Sequence, residues 1–299
     1  MSNKYTLALA VGFVLLWNSG FIGAEYGLPF TGPFTLVFWR YLALTLLLAG
    51  YLLLRKRFLW VGWKTAVSNM IIGVLAHGVW LTCVLFALDN KVPAGIVALI
   101  VALQPLATGA LSGLITGEQT NTYQWMGLLL GFLGVLVTVI FRIDFTSYQS
   151  IFGYLIPLLS VVAITIASLI QRRMELKSET KKLPIDLTLF YQSLATTAVL
   201  ALPAIYAEQL YTEWTPVFIY TMIWLILAVS LGAYALMWLL IERILATRVA
   251  SLFYFGPPVT MLMAWMAFGD TLLLMDIVGL AIVFLGVLLT QFGNQRKRG

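Results

Sequence analysis

The sequence predicts an all-α polytopic membrane protein whose ten transmembrane helices form two inverted five-helix repeats. Composition is the first reason: 61% of the residues are hydrophobic and only 10% are charged, whereas soluble domains carry about 25% charged residues. The second reason is that apolar stretches of about 20 residues, each able to cross a hydrocarbon core of ~30 Å, recur along the whole chain. The third is that residue types return at a constant shift of 152 positions.

The helices are assigned from these apolar stretches in chain order, because the segments between them are too short for a soluble domain. The longest polar stretch runs from Arg172 to Asp186. The first apolar stretch is expected to be an uncleaved helix, since no A-x-A-like cleavage site follows it. The ten predicted spans cover residues 5–24, 33–54, 65–87, 94–116, 123–141, 151–171, 186–206, 216–241, 246–268 and 273–292.

Most of the residues that recur in the internal repeat are apolar. Pro105 and Pro257 are 152 residues apart, and the run at 132–138 returns at 284–290 with the same phenylalanine, leucine and glycine positions. Related membrane halves with helix breakers at matching depths are typical of secondary transporters.

Basic residues predict the orientation. With the N-terminus inside, 15 of the 18 Lys and Arg residues fall in cytoplasmic segments, which is a strong positive-inside asymmetry. Both termini are therefore expected in the cytoplasm of an inner-membrane protein. This placement also explains the pI of about 9.4 without a nucleic-acid partner. Five spans per half is an odd number, so the second half, 146–299, enters the membrane from the side opposite to the first, 1–145.

Several kinds of chemistry are missing from the sequence. It contains no P-loop motif for ATP hydrolysis, and its one histidine and one cysteine, His77 and Cys83, cannot build a His/Cys metal cluster. We therefore expect no cofactor and no metal. Energy for any transport would come from a gradient.

Two ionisable residues lie within predicted spans, where such groups are expensive and often functional. His77 is midway through the third span; it either serves function, conceivably with protons as the coupling ion, or donates one structural hydrogen bond. Arg40 in the second span forms a structural ion pair, with Glu25 as the candidate partner, or snorkels towards the headgroups, or clamps a substrate carboxylate at the outer vestibule. Its repeat mate is Gln192, so this charge has no symmetric counterpart.

Proline residues predict paired helix breaks. Pro105 and Pro257 fall near the middle of the fourth and ninth spans, preceded by Gln104 and Gly256. Proline removes an intrahelical hydrogen bond, so the two breaks either open backbone onto a midplane binding site or form fixed kinks. The aromatic residues expected to contact an apolar or aromatic substrate body are Trp17, Trp80, Trp238 and Tyr254.

Four short motifs resemble EamA-type members of the drug/metabolite transporter superfamily. They are the first-helix run Trp17-Asn18-Ser19-Gly20-Phe21-Ile22, the second-helix run Phe38-Trp39-Arg40-Tyr41, and the later runs Gln104-Pro105-Leu106 and Gly117-Glu118. One departure is Glu25, where family members often carry a lysine. The resemblance implies two EamA repeats and a metabolite carrier, commonly an exporter of amino acids or related compounds. Some relatives import vitamins such as riboflavin or move nucleotide-linked sugars.

Together these observations predict a secondary transporter that exports a small polar, amino-acid-like metabolite by alternating access. An importer of an aromatic vitamin or nucleotide-like compound, an intramembrane enzyme using His77, and a non-transporting scaffold remain as alternatives. Glycines in spans five and ten serve packing within one chain or a weak homodimer, so the protein is expected to be a monomer or such a dimer. The residues expected to bind substrate are His77, Gln104, Trp17, Asn18, Arg40, Trp80, Tyr254 and Trp238, with Pro105, Gly256 and Pro257 as gating positions.

Overall fold

The computed structural model describes residues 3–104, 106–109, 111, 122–143, 146–177, 183–241, 243 and 252–295. Within these residues the regular structure is helical, and the one β-type pairing is the isolated bridge between Thr31 and Thr212. The predicted all-α polytopic fold is therefore confirmed.

Ten helices are present in the described part of the chain. Six helical segments are long and apolar enough to cross a membrane by themselves, and four shorter apolar helices accompany them. In chain order the helices are α1 Asn3–Gly27, α2 Pro33–Leu54, α3 Trp63–Asp89, α4 Ala94–Val101, α5 Thr122–Ile140, α6 Tyr148–Lys177, α7 Ile185–Tyr206, α8 216–241, α9 Gly256–Phe268 and α10 Leu274–Gln295.

Helices α5 and α10 pack against each other through glycine. A Cβ atom on Gly134 would lie 2.6 Å from the carbonyl oxygen of Gly279, and one on Gly286 would lie 2.6 Å from that of Gly127. Gly134 and Gly286 are repeat mates, and so are Gly127 and Gly279. The repeat therefore relates these two contacts to each other. Because the earlier glycine of α5 meets the later glycine of α10, the helices run antiparallel. In a bilayer no hydrophobic effect drives helices together, so the close approach that small residues allow contributes to their association.

Helices α2 and α7 meet in a similar way. The hydroxyl oxygens of Thr45 and Thr197, which are repeat mates, lie 3.4 Å apart. A residue that contacts its own mate lies close to a two-fold axis relating the two halves. These contacts between α2 and α7 and between α5 and α10 are what an inverted repeat predicts.

Helices α3 and α8 each contain a π-helical stretch, in which backbone hydrogen bonds run from residue i to i+5. The stretches are Val74–Val79 and Trp224–Ala233. Shifted by 152 positions, the first falls inside the second. Such wide turns are rare in helices and often occur at functional sites. The sequence did not predict them.

The connection between α7 and α8 packs over the start of α2. The carboxylate of Glu208 accepts hydrogen bonds from the backbone N–H groups of Phe34 (3.1 Å) and Thr35 (2.7 Å). It thereby caps a helix whose own N-cap residue, Gly32, has no side chain. Trp39 Nε1 donates to Thr212 Oγ1 at 3.0 Å, which holds the two halves together at this end.

The predicted mid-span kink at Pro257 has a different form in the structure. A 3₁₀ turn at Phe253–Phe255 precedes α9, and Pro257 lies in the first turn of the helix, where a missing N–H leaves no intrahelical bond unmade. In the first half, α4 ends at Val101 and a turn at 102–103 follows. Pro105 itself lies outside the described residues.

Candidate functional site

A cavity of about 520 Å³, its opening included, lies between α1, α2, α3 and α8. Both π-helical stretches reach it, through His77 and through its repeat mate Val229. The lining residues are Trp17, Gly20, Phe21, Ala24, Arg40, Tyr41, His77, Trp80, Leu81, Val84, Val229 and Tyr234.

Arg40 is the cationic group of the cavity. It is buried on α2, and its Nε donates to Ser230 Oγ on α8 at 3.0 Å. Its guanidinium carbon lies 5.9 Å from the centre of the Tyr41 ring, within range of a cation–π interaction. The ion pairs among the described residues join other groups, so no carboxylate neutralises Arg40 there.

This finding corrects the predicted ion pair between Arg40 and Glu25. The electrostatic neighbours of Glu25 are Asp270 and Lys91, and Glu25 Oε2 is buried without a hydrogen-bond partner. The two residues were placed at similar depth by sequence position. Which way each helix faces depends on packing, and α1 turns Glu25 towards the end of α9.

His77 is held by the other half of the chain. Its Nε2 lies 3.0 Å from Gln192 Oε1 on α7, and its ring stacks on Tyr41 with centroids 5.1 Å apart. Gln192 is the repeat mate of Arg40, so equivalent positions on α2 and α7 each reach a π-helical stretch of the opposite half. One contact is Arg40 with Ser230, and the other is Gln192 with His77.

Aromatic side chains form much of the cavity wall. Trp17 packs on Tyr234 with centroids 5.5 Å apart, and Trp80 faces the cavity from α3. The Trp80 Nε1–H is buried and has no hydrogen-bond acceptor. An unmatched buried donor costs roughly 1–3 kcal/mol, so an acceptor supplied by a ligand would relieve this cost.

A second aromatic cluster lies one helical turn from the cavity, towards the start of α1. Phe253 contacts both Phe13 (5.3 Å) and Trp17 (5.0 Å) edge-on. Phe253 belongs to the 3₁₀ turn before α9. The 3₁₀ turn before α9 therefore places the Phe253 ring at the end of the cavity that lies towards the start of α1.

The other predicted binding residues lie elsewhere. Asn18 is buried between α1 and α9, accepting from Thr260 Oγ1 at 3.1 Å, and a Cβ on Gly256 would lie 3.1 Å from its Oδ1. Gln104 donates to Ser168 Oγ on α6 at 3.4 Å. The residues that do not line the cavity are therefore Asn18, Gln104, Tyr254, Gly256 and Pro257. The Trp238 side chain and Pro105 lie outside the described part of the structure.

A charged cluster also joins the end of α5 to the start of α10. Arg142 Nε donates to Asp276 Oδ1 at 2.8 Å, and Arg142 Nη2 donates to the carbonyl of Thr271 at 2.7 Å and to Asp276 Oδ2. The hydrogen bond to Asp276 raises the pKa of Arg142. Burial raises the pKa of the nearby Asp270 carboxyl, and the Arg142 charge opposes this effect. The contacts of Arg142 with Asp276 and Thr271 indicate that this cluster has a structural role.

Sequence reasoning missed part of the site. Ser230 and Val229 carry no signal by themselves, and Gln192 was noted only as the repeat mate of Arg40. The repeat shift was the signal that could have found Val229 and Ser230, since they are the mates of His77 and Gly78.

The fold and the comparisons with known proteins define a multi-pass inner-membrane transporter. The sequence model of the EamA-like transporter family matches residues 4–140. Over these residues the chain resembles EamA-type members of the drug/metabolite transporter superfamily, as the motifs had indicated.

Its relatives extend this similarity over the whole chain. An uncharacterized transporter of Archaeoglobus fulgidus is 26% identical over 298 residues, which are 97% of this chain and 98% of the relative. The uncharacterized inner membrane transporter YedA of Escherichia coli K12 is 31% identical over 123 residues, 41% of this chain and 40% of YedA. A solved crystal structure aligns with a TM-score of 0.66 at 20% identity, covering 97% of this chain and 98% of that one; it supports the fold.

Proposed function

We propose that this transporter exports a small polar, amino-acid-like metabolite by alternating access through the cavity between α1, α2, α3 and α8. The observation that carries the proposal is Arg40, a buried cation facing the cavity with no carboxylate partner among the described residues. A guanidinium binds a carboxylate through two parallel hydrogen bonds. The aromatic wall suits an apolar side chain on the same molecule.

In this proposal the two halves, 1–145 and 146–299, move against each other around a fixed site. The π-helical stretches in α3 and α8 act as hinges, because a wide turn can shift its hydrogen-bond register without losing every bond. Phe253 and Phe13 close the cavity on the side of the α1 N-terminus, which the basic residues assign to the cytoplasm. Opening of this cluster would admit substrate from inside, and its closure would accompany release outside.

The family resemblance and the positive-inside charges support export with both termini cytoplasmic. The protein works as a monomer or a weak homodimer, and the glycine faces of α5 and α10 meet each other within one chain, which favours the monomer. We infer a transporter rather than an enzyme, because the matching family model and the relatives are named as transporters.

The decisive experiment is flux in everted vesicles and in proteoliposomes, with a panel of amino acids, vitamins and nucleosides. Saturable movement of an amino-acid-like compound, lost in Arg40→Gln at matched protein density, is the expected result. Saturable uptake of a vitamin or nucleoside alone would favour the importer. Chemical conversion of a panel member without flux would favour the intramembrane enzyme.

A further inference from the structure

We propose that the cavity selects organic monoanions with an apolar or aromatic body. In this proposal the cavity binds the carboxylate and makes no specific contact with an ammonium group. The carboxylate would bind the Arg40 guanidinium and the Trp80 indole N–H. This inference rests on the proposed function, since it assigns the substrate class of the same cavity. It separates carboxylic acids from the zwitterionic amino acids that carry the same side chain.

The first step concerns charge. Arg40 is 6% exposed, and a buried charge without a counter-ion is unfavourable because it has lost its hydration. The Ser230 hydroxyl and the Tyr41 ring are neutral, so they offset part of this penalty and leave the positive charge in place. An anionic ligand supplies the missing charge.

The second step concerns hydrogen-bond donors. Trp80 Nε1–H points to no acceptor in the protein, and an indole nitrogen can only donate. Arg40 likewise can only donate. A carboxylate accepts about four hydrogen bonds and so has acceptors enough for both side chains, whereas an ammonium group has none for either.

The third step concerns the other end of an amino acid. Among the described residues no aspartate or glutamate lines the cavity. An ammonium group would share the cavity with the Arg40 charge, and like charges repel more strongly where the dielectric is low. Stacking of the ammonium on Trp17 or Trp80 offers only a weak cation–π interaction. Removing the amino group should therefore leave binding unchanged or improve it.

The test uses purified full-length protein in detergent and isothermal titration with four compounds of one shape: 3-phenylpropionate, phenylalanine, 3-phenylpropanamide and phenethylamine. We expect 3-phenylpropionate to bind at least as tightly as phenylalanine and ~10-fold or more tighter than the neutral amide, since hydrogen bonds between charged groups are the stronger ones. Phenethylamine should not bind measurably. Tighter binding of phenylalanine or phenethylamine than of 3-phenylpropionate, or no binding by any of the four, would overturn the inference.

Two variants locate the effect. Arg40→Gln should abolish the preference for the acid over the amide, and Trp80→Phe, which removes only the donor and keeps an aromatic ring, should weaken binding of the acid by ~5-fold or more. Arg57→Gln is the matched control, because Arg57 is exposed outside the cavity. An acid preference that survives both cavity variants contradicts the assignment to Arg40 and Trp80.

Flux distinguishes this inference from the function on which it rests. If the acid binds as expected but no compound crosses proteoliposome membranes, the transport proposal fails and the anion site stands. If compounds are transported with no preference for the anion, the substrate class fails and transport stands.

Discussion

The glycine contact between α5 and α10 gives the sharpest prediction about the fold. In Gly134→Ala the new Cβ would lie 2.6 Å from the carbonyl oxygen of Gly279, about 0.8 Å inside ordinary van der Waals contact. Because the neighbour is backbone, the helices themselves must separate. Overpacking of this kind costs ~1–3 kcal/mol, and alanine returns ~0.5–1 kcal/mol of helix propensity relative to glycine. The net expectation is a loss of about 0–2.5 kcal/mol, or roughly 1 kcal/mol at the middle of the two ranges.

The repeat mate supplies an internal check. Gly286→Ala meets the backbone of α5 at the same 2.6 Å, so it should lower the thermal midpoint in detergent by a similar amount. The double variant should lose less than the sum, since both changes separate the same pair of helices. Gly50→Ala is the matched control: nothing lies within 4 Å of its Cβ position, and it should raise the midpoint. Stabilisation by Gly134→Ala and Gly286→Ala, as by Gly50→Ala, would refute the close contact.

Three further predictions concern the site and its surroundings. Gln192→Leu, which leaves His77 Nε2 without its partner, should raise the half-saturating substrate concentration by ~5–10-fold; an unchanged value would mean that His77 needs no orientation. Phe253→Ala should increase passive leak of substrate from loaded proteoliposomes, while Phe255→Ala, at an exposed position in the same turn, should not; equal leak would place the closure elsewhere. Glu208→Ala should destabilise the protein by ~1–2 kcal/mol through loss of the α2 cap, and a midpoint unchanged in thermal unfolding would contradict that role.

Much of the fold could be predicted from the sequence because each transmembrane helix must be apolar over the thickness of the bilayer. Each predicted apolar stretch has a helix, and the 152-residue shift places Thr45 against Thr197 in the structure. Breaks within a span were less predictable. Within the span expected at 246–268, a 3₁₀ turn at Phe253–Phe255 precedes the helix Gly256–Phe268, because proline fits the first turn of a helix better than its interior.

The depth of the site residues along their helices could be predicted, but the direction in which each side chain points could not. Arg40 and His77 stood out as ionisable residues in apolar surroundings, and both line the cavity. The pairing of Arg40 with Glu25 was wrong, because apolar residues surround each span on nearly all sides and leave no polar face to fix its rotation. Gln104 was assigned to the same cavity for its position beside Pro105, but its amide reaches Ser168 on α6.

The pairing of Arg40 with Ser230 and of Gln192 with His77 has a consequence for the orientation of the cargo. A dimer of identical five-helix halves would carry the same residue at positions 40 and 192, giving two guanidinium groups or none. Joining the halves in one chain lets each position change independently, so the position on α2 is cationic and its mate on α7 is neutral. A molecule with one charged end then has a single favourable heading in the cavity.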